Sequence, residues 1–288
     1  MSALIQTFTP ADLKALEAAG FATKAPALKP PRIACATEGK TKCGKTHWAI
    51  YTPPEPLSFI MLDPGSIPIA DKARQQGRKI YPKFIAHNKK ANKEEAMALW
   101  REFRGAIRAT MAIKSMRTIV IDTMSEAWEM ARLAVFGKLT QVKGIHYGEV
   151  NSDFAQLVDE MYYERPDLNI VLIQKVSKLY TKNPAKDDDM GSWDGKSMEA
   201  KGFGELEYHV DLSLVHGFSK SKGFFFVTKD SEATRFGPEY SGLKFEQQPK
   251  DECSFVELAQ YIFKDEATCR SMGYDPAGAD PEYWGLKF

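Results

Sequence analysis

The segment between residues 39 and 46 has the residue types and the spacing of a phosphate-binding loop. It reads Gly-Lys-Thr-Lys-Cys-Gly-Lys-Thr and matches the Walker A pattern GxxxxGK[ST] at every fixed position. Glycines let the backbone N–H groups of such a loop point inward at an anion, and the following helix N-terminus adds partial positive charge. The pattern therefore predicts a nucleotide site at Gly39, Lys40, Thr41, Lys42, Cys43, Gly44, Lys45 and Thr46.

Two side chains of this loop and one distant carboxylate predict a Mg-ATP site. Lys45 is expected to bridge the β- and γ-phosphates, and Thr46 to place its hydroxyl on Mg²⁺. Asp122 ends the apolar run Thr-Ile-Val-Ile that begins at residue 118. An aspartate at the end of such a strand holds Mg²⁺ through water in P-loop enzymes. ATP and Mg²⁺ are thus the expected cofactors.

Three carboxylates are candidates for the base that activates the attacking water. Glu38 lies beside the loop, Asp63 ends the second apolar strand, and Glu126 follows Asp122. We favour Asp63, because ligands of open α/β sheets lie outside the carboxyl ends of the strands. Each residue also has a structural alternative, as a solvated loop charge, a turn former or an acid in the first turn of a helix.

Gln174 ends the strand that follows Asp122 in the chain. Its amide is a candidate for sensing the γ-phosphate by hydrogen bonding. The alternative is an amide that only caps the end of the strand.

Strands and helices alternate from residue 32 onward, which predicts an α/β fold. Apolar runs at 33–36, 57–62, 118–122 and 169–174 have the character of buried parallel strands. We expect a mostly parallel sheet flanked by helices, with a late antiparallel hairpin formed by 209–216 and 223–229. Residues 178–204 are polar, contain glycine and show no clear period, so they predict a long mobile loop.

Composition changes divide the chain into three expected parts. Residues 1–30 form a short helix, begun by Thr9 and Pro10, and a proline-containing linker. Residues 31–248 form the ATPase core, and 249–288 form a helix and an acidic tail.

Bulk properties exclude several classes of protein. The 39 lysines and arginines balance 38 aspartates and glutamates, so a nucleic-acid site would have to be a local patch. We find neither a membrane-spanning apolar run nor the features of a signal peptide. The four cysteines form no CxxC pair or metal-ligand spacing. Reduced thiols and a cytoplasmic location are expected.

These motifs, in this order, resemble those of the RecA-like P-loop ATPases encoded by phages, including the types that act in single-strand annealing and recombination. The resemblance spans roughly residues 30–240, and only the 39–46 motif within it is sharply specific. The shorter matching segments are 32–33, 59–63, 118–123 with 128–129, 146–148, 170–175 and 226–230.

The resemblance implies a RecA-like core that assembles as a ring or filament, with ATP between subunits. It implies that Lys229 or Arg235 reaches the γ-phosphate of the neighbouring subunit as a trans-acting cation. RecA-like cores usually carry a catalytic glutamate after the strand that matches 57–62, whereas this chain has Asp-Pro-Gly-Ser at 63–66. This departure leaves slow turnover as an alternative.

Single-stranded DNA is the partner implied by the resemblance, and one segment has suitable residues. Cationic residues tracking phosphates, with aromatic rings that stack on bases, are typical of single-strand binding. A solvated face at a domain edge is the alternative. Between residues 72 and 93 there is no acidic residue, and the segment contains Lys72, Arg74, Arg78, Lys79, Lys83, Lys89, Lys90 and Lys93 with Tyr81, Phe84 and His87.

Two other functions stay open at this point. A P-loop kinase for small molecules or nucleotides would share the 39–46 motif, but the sequence shows no arginine-rich lid. The other alternative is a nucleotide-gated assembly factor with little turnover.

Overall fold

The structure is a computed structural model that describes residues 9–19, 32–88, 90–138, 147–181, 192–229, 240–248, 251 and 253–263. Its strands are β1 (Ala34–Gly39), β2 (Leu57–Met61), β3 (Ile80–Phe84), β4 (Thr118–Asp122), β5 (Asn169–Ile173), β6 (Val176–Thr181), β7 (Ser192–Ala200), β8 (Leu212–Ser219), β9 (Gly223–Thr228) and β10 (Lys244–Glu246). Its helices are α1 (Pro10–Ala18), α2 (Lys45–Tyr51), α3 (Ile67–Gln75), α4 (Lys93–Ala112), α5 (Met124–Phe136), α6 (Gly148–Glu164) and α7 (Phe255–Phe263).

Eight strands form one mixed sheet in the order β10-β9-β8-β1-β5-β4-β2-β3. The six strands from β8 to β3 are parallel to their neighbours, whereas β9 and β10 are antiparallel. The predicted α/β fold, with helices around a mostly parallel sheet and a late antiparallel hairpin, is confirmed.

The apolar side chains alternate between the two faces of the sheet and build one core on each. Ile60, Ile121 and Leu172 pack in the cluster that includes residues of α4, α5 and α6. Phe59 and Val120 pack on the opposite face with residues of α2, α3 and α7. Both faces are therefore covered, which explains why β2, β4 and β5 have continuous apolar sequences.

The register brings the carboxyl ends of the central strands to one edge. Asp122 at the end of β4 is paired with Met61 of β2 and Ile173 of β5. Ile173 is in turn paired with Thr37 of β1. The residues that follow these strands consequently lie near one another, at the edge where ligands of open α/β sheets bind.

The predicted mobile loop at 178–204 is wrong for residues 178–181 and 192–200, whereas residues 182–191 lie outside the described residues. Strands β6 and β7 form a separate two-stranded antiparallel sheet there. Their sequences, VSKLYT and SWDGKSMEA, lack a regular apolar alternation. The hydrophobic pattern therefore did not reveal these two strands.

The late hairpin is confirmed, with its first strand shifted along the chain. Strand β8 covers Leu212–Ser219 instead of 209–216, because Leu206–His209 forms a 3₁₀ turn before it. The N-terminal helix is found as α1. The boundaries of the three predicted parts stay predictions. Within the described ranges, no helix is both long enough and apolar enough to span a membrane.

Candidate nucleotide site

The 39–46 loop connects β1 to α2 in a conformation that its glycines permit. Gly39 has φ 148° and Gly44 has φ 88°, and Lys42 also takes a positive φ, of 65°. A Cβ atom on Gly39 would lie 2.4 Å from the carbonyl oxygen of His216, and one on Gly44 would lie 2.8 Å from the ring of Phe224. Both glycines are therefore required by the close approach of β8 and β9 as well as by the turn.

The Lys45 side chain folds back over this loop. Its Nζ donates hydrogen bonds to the carbonyl oxygens of Gly39, at 2.7 Å, and Lys40, at 2.9 Å. The ammonium group thus lies at the loop, where it would meet the phosphates of a nucleotide bound by the backbone N–H groups.

Asp122 accepts hydrogen bonds from two hydroxyl groups, and these three side chains form the candidate metal site. Thr46 Oγ1 and Ser66 Oγ donate to Asp122 Oδ2 at 2.7 and 2.6 Å. Asp122 is only 2% exposed, and burial raises the pKa of its carboxyl group, although the two hydrogen bonds oppose that shift. A buried carboxylate with hydroxyl oxygens is a donor set that suits Mg²⁺.

The coordination that Mg²⁺ prefers agrees with this donor set. Mg²⁺ usually keeps several waters and takes one or two carboxylates together with substrate phosphates. The residues present therefore fit the predicted group. Thr46 and Asp122, the two predicted ligands, are in direct contact.

Ser66 belongs to this site but was missed in the sequence. Asp63 caps the 3₁₀ turn Pro64–Ser66, with its Oδ1 accepting a hydrogen bond from Gly65 N at 2.9 Å. This turn carries Ser66 to Asp122. The residues after β2 thus supply the Ser66 hydroxyl to the candidate metal site as well as the Asp63 carboxylate.

Lys175 joins two of the three candidate bases. Its Nζ lies 2.9 Å from Asp63 Oδ2 and 2.8 Å from Glu126 Oε1. Partial burial acts to lower the pKa of Lys175, but its hydrogen bonds to the two carboxylates outweigh that effect and raise it. Glu126 also accepts a hydrogen bond from Thr123 at the start of α5. A cation thus holds carboxylates from β2 and α5 beside the candidate metal site.

Lys175 was not predicted as a site residue. Its only signal in the sequence was its position directly after Gln174, at the end of a buried strand. The partners that give it a role are separated from it by 49 residues in the case of Glu126, so spacing along the chain does not reveal them.

Gln174 is buried, and its amide ties β5 to the segment after β7. Its Nε2 donates to the carbonyl oxygen of Phe203 at 3.2 Å. The side chain lines a cavity of about 340 Å³ together with Ala36, Glu38, Ala200, Gly204, Glu207, Ser213 and Lys229. The structure does not bring its amide into contact with Lys45 or Asp122.

Lys229 lies in this cavity and is paired within its own chain. Its Nζ is 3.0 Å from Glu38 Oε1 and 3.3 Å from Glu207 Oε2. Burial acts to lower the pKa of Lys229, and the two carboxylates more than compensate, so the pKa is raised. Glu38, the third candidate base, is therefore paired with Lys229, as Asp63 and Glu126 are paired with Lys175. Arg235 lies outside the described residues.

Comparison with protein families decides the family of the chain. A family model described as "AAA domain" matches residues 32–237, which cover the 39–46 loop and the main sheet up to β9. The chain belongs to this AAA domain family. Membership supports the prediction of a nucleotide-binding P-loop ATPase.

The comparisons with curated proteins and with solved structures say less about the function. No curated protein matches the chain. Among solved structures, this AAA domain protein is similar to a prototypical ATPase from the type III secretion system of pathogenic bacteria, with 8% sequence identity and a TM-score of 0.39. The match covers 65% of this chain and 51% of that one, so the AAA domain protein spans about half the length of its neighbour.

The raised pKa of Asp122 gives a first prediction. We expect Asp122→Asn to raise the melting temperature of the ligand-free protein and to abolish the Mg²⁺ dependence of nucleotide binding. The folded-state pKa lies above the ordinary value of 3.8, so the ionised carboxylate costs stability at neutral pH, and that cost fades as the pH falls through the folded-state value. Each kcal/mol recovered should raise the melting temperature by about 2–4 °C.

Thermal melts of both proteins across pH, with and without Mg²⁺, provide the measurement. The difference between the two melting temperatures should shrink toward acidic pH, because Asp122 of the natural chain becomes protonated there. A variant that melts lower than the natural protein at neutral pH would contradict the prediction.

Proposed function

We propose that this chain is a RecA-like ATPase that hydrolyses Mg-ATP and acts on single-stranded DNA in phage recombination or replication. The observation that carries the ATPase part is the meeting of the 39–46 loop, the Thr46–Asp122–Ser66 cluster and the Lys175-held carboxylates at one edge of the sheet. The resemblance to phage RecA-like proteins supports the recombination role and a location in the cytoplasm of the host cell.

Asp63 is the residue we propose as the base. It follows β2 directly beside Asp122, since its backbone N–H donates to the Asp122 carbonyl oxygen. The Asp63 side chain is 33% exposed, whereas that of Glu126 is 10% exposed. Water therefore has better access to Asp63. Glu126, bonded to Thr123 and Lys175, orients the cation that holds Asp63.

In the proposed reaction, Asp63 accepts a proton from water as the water oxygen bonds to the γ-phosphorus. The bond from the γ-phosphorus to the β–γ bridging oxygen breaks, and ADP takes the electron pair. Lys45 stabilises the charge that develops on the phosphate oxygens. When bound at Thr46 and Asp122, Mg²⁺ would supply charge neutralisation at the β- and γ-phosphates.

We further propose that the nucleotide lies between subunits of a ring or filament. Lys229 and Arg235 are the candidates for a cation that reaches the neighbour. For Lys229 this role requires an exchange of partners, because Glu38 and Glu207 hold it in its own chain. Nucleotide-driven assembly is a natural trigger for such an exchange, since a bound γ-phosphate offers the ammonium group a third anion.

The edge strand β3 and helix α3 support the single-strand DNA part of the proposal. Lys72, Arg74 and Lys79 are exposed on this side, and Tyr81 is 58% exposed. Two other basic residues of the segment are used within the fold, Lys83 in an ion pair with Glu102 and Arg78 in contacts with Glu55 and two backbone carbonyls. The remaining exposed cations with an exposed ring suit a phosphate backbone and a stacked base.

ATP turnover with and without single-stranded DNA tests this function. We expect DNA to raise the rate, and Tyr81→Ala to weaken DNA binding by about tenfold while leaving the DNA-free rate unchanged, because stacking contributes on the order of 1–3 kcal/mol per base. Tyr163→Ala, which removes an exposed tyrosine from α6, is the matched control. A turnover rate that is indifferent to DNA would count against the DNA role but not against the ATPase.

The two alternatives remain distinguishable from the proposal. Family membership counts against a small-molecule kinase. An assembly factor with little turnover would bind ATP, change its association state and release no phosphate even with DNA present.

A further inference from the structure

The direction in which a nucleotide lies on the 39–46 loop follows from the position of the candidate metal ligands. Thr46 contacts Asp122 of β4, and Ser66 follows β2. In the sheet, β4 and β2 lie on one side of β1, whereas β8 and β9 lie on the other. In P-loop proteins the metal ion lies at the β- and γ-phosphates. The γ-phosphate end of a nucleotide bound here would therefore lie toward β4, and its nucleoside would lie toward β8 and β9.

Two exposed aromatic rings stand on that side. Phe218 of β8 and Phe224 of β9 are cross-strand partners, and their ring centroids are 5.0 Å apart. Phe218 is 58% exposed and Phe224 is 40% exposed. The Phe224 ring also contacts the loop, because a Cβ atom on Gly44 would lie 2.8 Å from it.

These rings differ from the core residues of the same strand faces. His216 and Phe226 lie two positions further along their strands, toward the middle of the sheet. Both are buried and pack against Trp48 of α2. Phe218 and Phe224 continue that aromatic row past the core, to the surface beside the loop. Large exposed rings at this position have a hydrophobic cost unless something covers them.

The end of the hairpin that carries the rings is held in place. The side-chain oxygen of Gln247 accepts a hydrogen bond from the backbone N–H of Phe224 at 3.2 Å. Lys222 and Glu246 form an ion pair across the same end at 2.5 Å. The strand pair that carries the rings is thus held in place. A ligand that stacks on them would therefore cost little conformational entropy of the protein.

We propose that Phe218 and Phe224 form the stacking platform for the purine base of the nucleotide whose phosphates bind at the 39–46 loop. This inference rests on the proposed function, since it assumes that loop as the phosphate site. Stacking on an aromatic ring uses the π-face that every base has, so the platform accepts adenine and guanine alike. Selection of ATP over GTP is not expected from these two rings.

Binding of ATP and of inorganic tripolyphosphate, measured by calorimetry on the full chain, tests the platform. Phe218→Ala and Phe224→Ala should each weaken ATP binding by about tenfold, and GTP binding by a similar factor. Tripolyphosphate has no base, so its affinity should not change. Phe224→Tyr keeps the ring and should restore ATP binding, and Tyr163→Ala controls for loss of an exposed ring elsewhere.

The outcomes separate this inference from the proposed function. If the natural chain binds neither ATP nor tripolyphosphate, the proposed function is contradicted, and so is the platform, which assumes the 39–46 loop as the phosphate site. If Phe218→Ala and Phe224→Ala bind ATP as the natural chain does, the platform is overturned while the phosphate site stands. Equal loss of ATP and tripolyphosphate in both variants would also overturn it, because the rings would then only support the loop. Loss of single-stranded DNA binding with ATP binding kept would assign the rings to DNA instead.

Discussion

Lys45→Ala is expected to abolish measurable ATP turnover, with a loss of at least about a hundredfold. The ammonium group lies over the 39–46 loop, within 2.9 Å of two of the loop's carbonyl oxygens, and alanine leaves no cation to stabilise charge on the phosphates. ATP binding should weaken as well, because part of that attraction is already present in the ground state. Phosphate release and ATP titration on the purified variant provide the measurements.

Lys114→Ala is the matched control for this substitution. Lys114 is exposed in the turn that precedes β4, at the edge of the sheet opposite the loop. The substitution removes one lysine from the chain without changing the nucleotide site, so ATP turnover should be unchanged. Equal losses in the two variants would mean that net charge or stability, and not the position of Lys45, explains the effect.

Asp63→Asn is expected to reduce turnover by about 10²–10⁴-fold while ATP binding is retained. General base catalysis contributes on that scale, and an amide does not accept the proton of the attacking water. The asparagine oxygen can still accept the hydrogen bond from Gly65 N, so the turn that carries Ser66 to Asp122 should persist. Single-turnover phosphate release, with ATP affinity measured separately, distinguishes a lost base from a lost site.

Glu126→Gln is the informative comparison. This change also removes one carboxylate partner of Lys175, but at a side chain that is largely buried. It should therefore cost less turnover than Asp63→Asn. The opposite ranking, with Glu126→Gln nearly inactive and Asp63→Asn active, would transfer the base role to Glu126.

The sequence predicted those parts of the fold and site that depend on local pattern. Continuous apolar strands and the GxxxxGK[ST] spacing are local signals, so the parallel sheet, the 39–46 loop and the contact between Thr46 and Asp122 could be anticipated. Asp122 was recognisable because a buried strand that ends in a carboxylate is a short pattern. Its nearness to Thr46, 76 residues earlier, follows once β1 and β4 are taken as parallel strands of one sheet, because their carboxyl ends then lie at the same edge.

The remaining features depend on tertiary contacts that leave no pattern. Ser66 reaches Asp122 only because Asp63 caps a turn. Lys175 gains its role only because the carboxyl ends of β2 and β5 meet the start of α5. Glu207 pairs with Lys229 across 22 residues that include a whole hairpin. The sequences of β6 and β7 lack a regular apolar alternation, so side-chain periodicity did not reveal these strands.

The base of the β6–β7 hairpin is closed by a ring of three hydrogen bonds. Lys175 N donates to Ser125 Oγ, Ser125 Oγ donates to the Lys201 carbonyl oxygen, and Lys201 N donates to the Lys175 carbonyl oxygen. The chain thus leaves the core at Lys175 and returns to it at Lys201, so the two ends of the 176–200 segment are fixed side by side. We therefore expect sequence changes within this segment to leave the contacts of Lys175 with Asp63 and Glu126 intact.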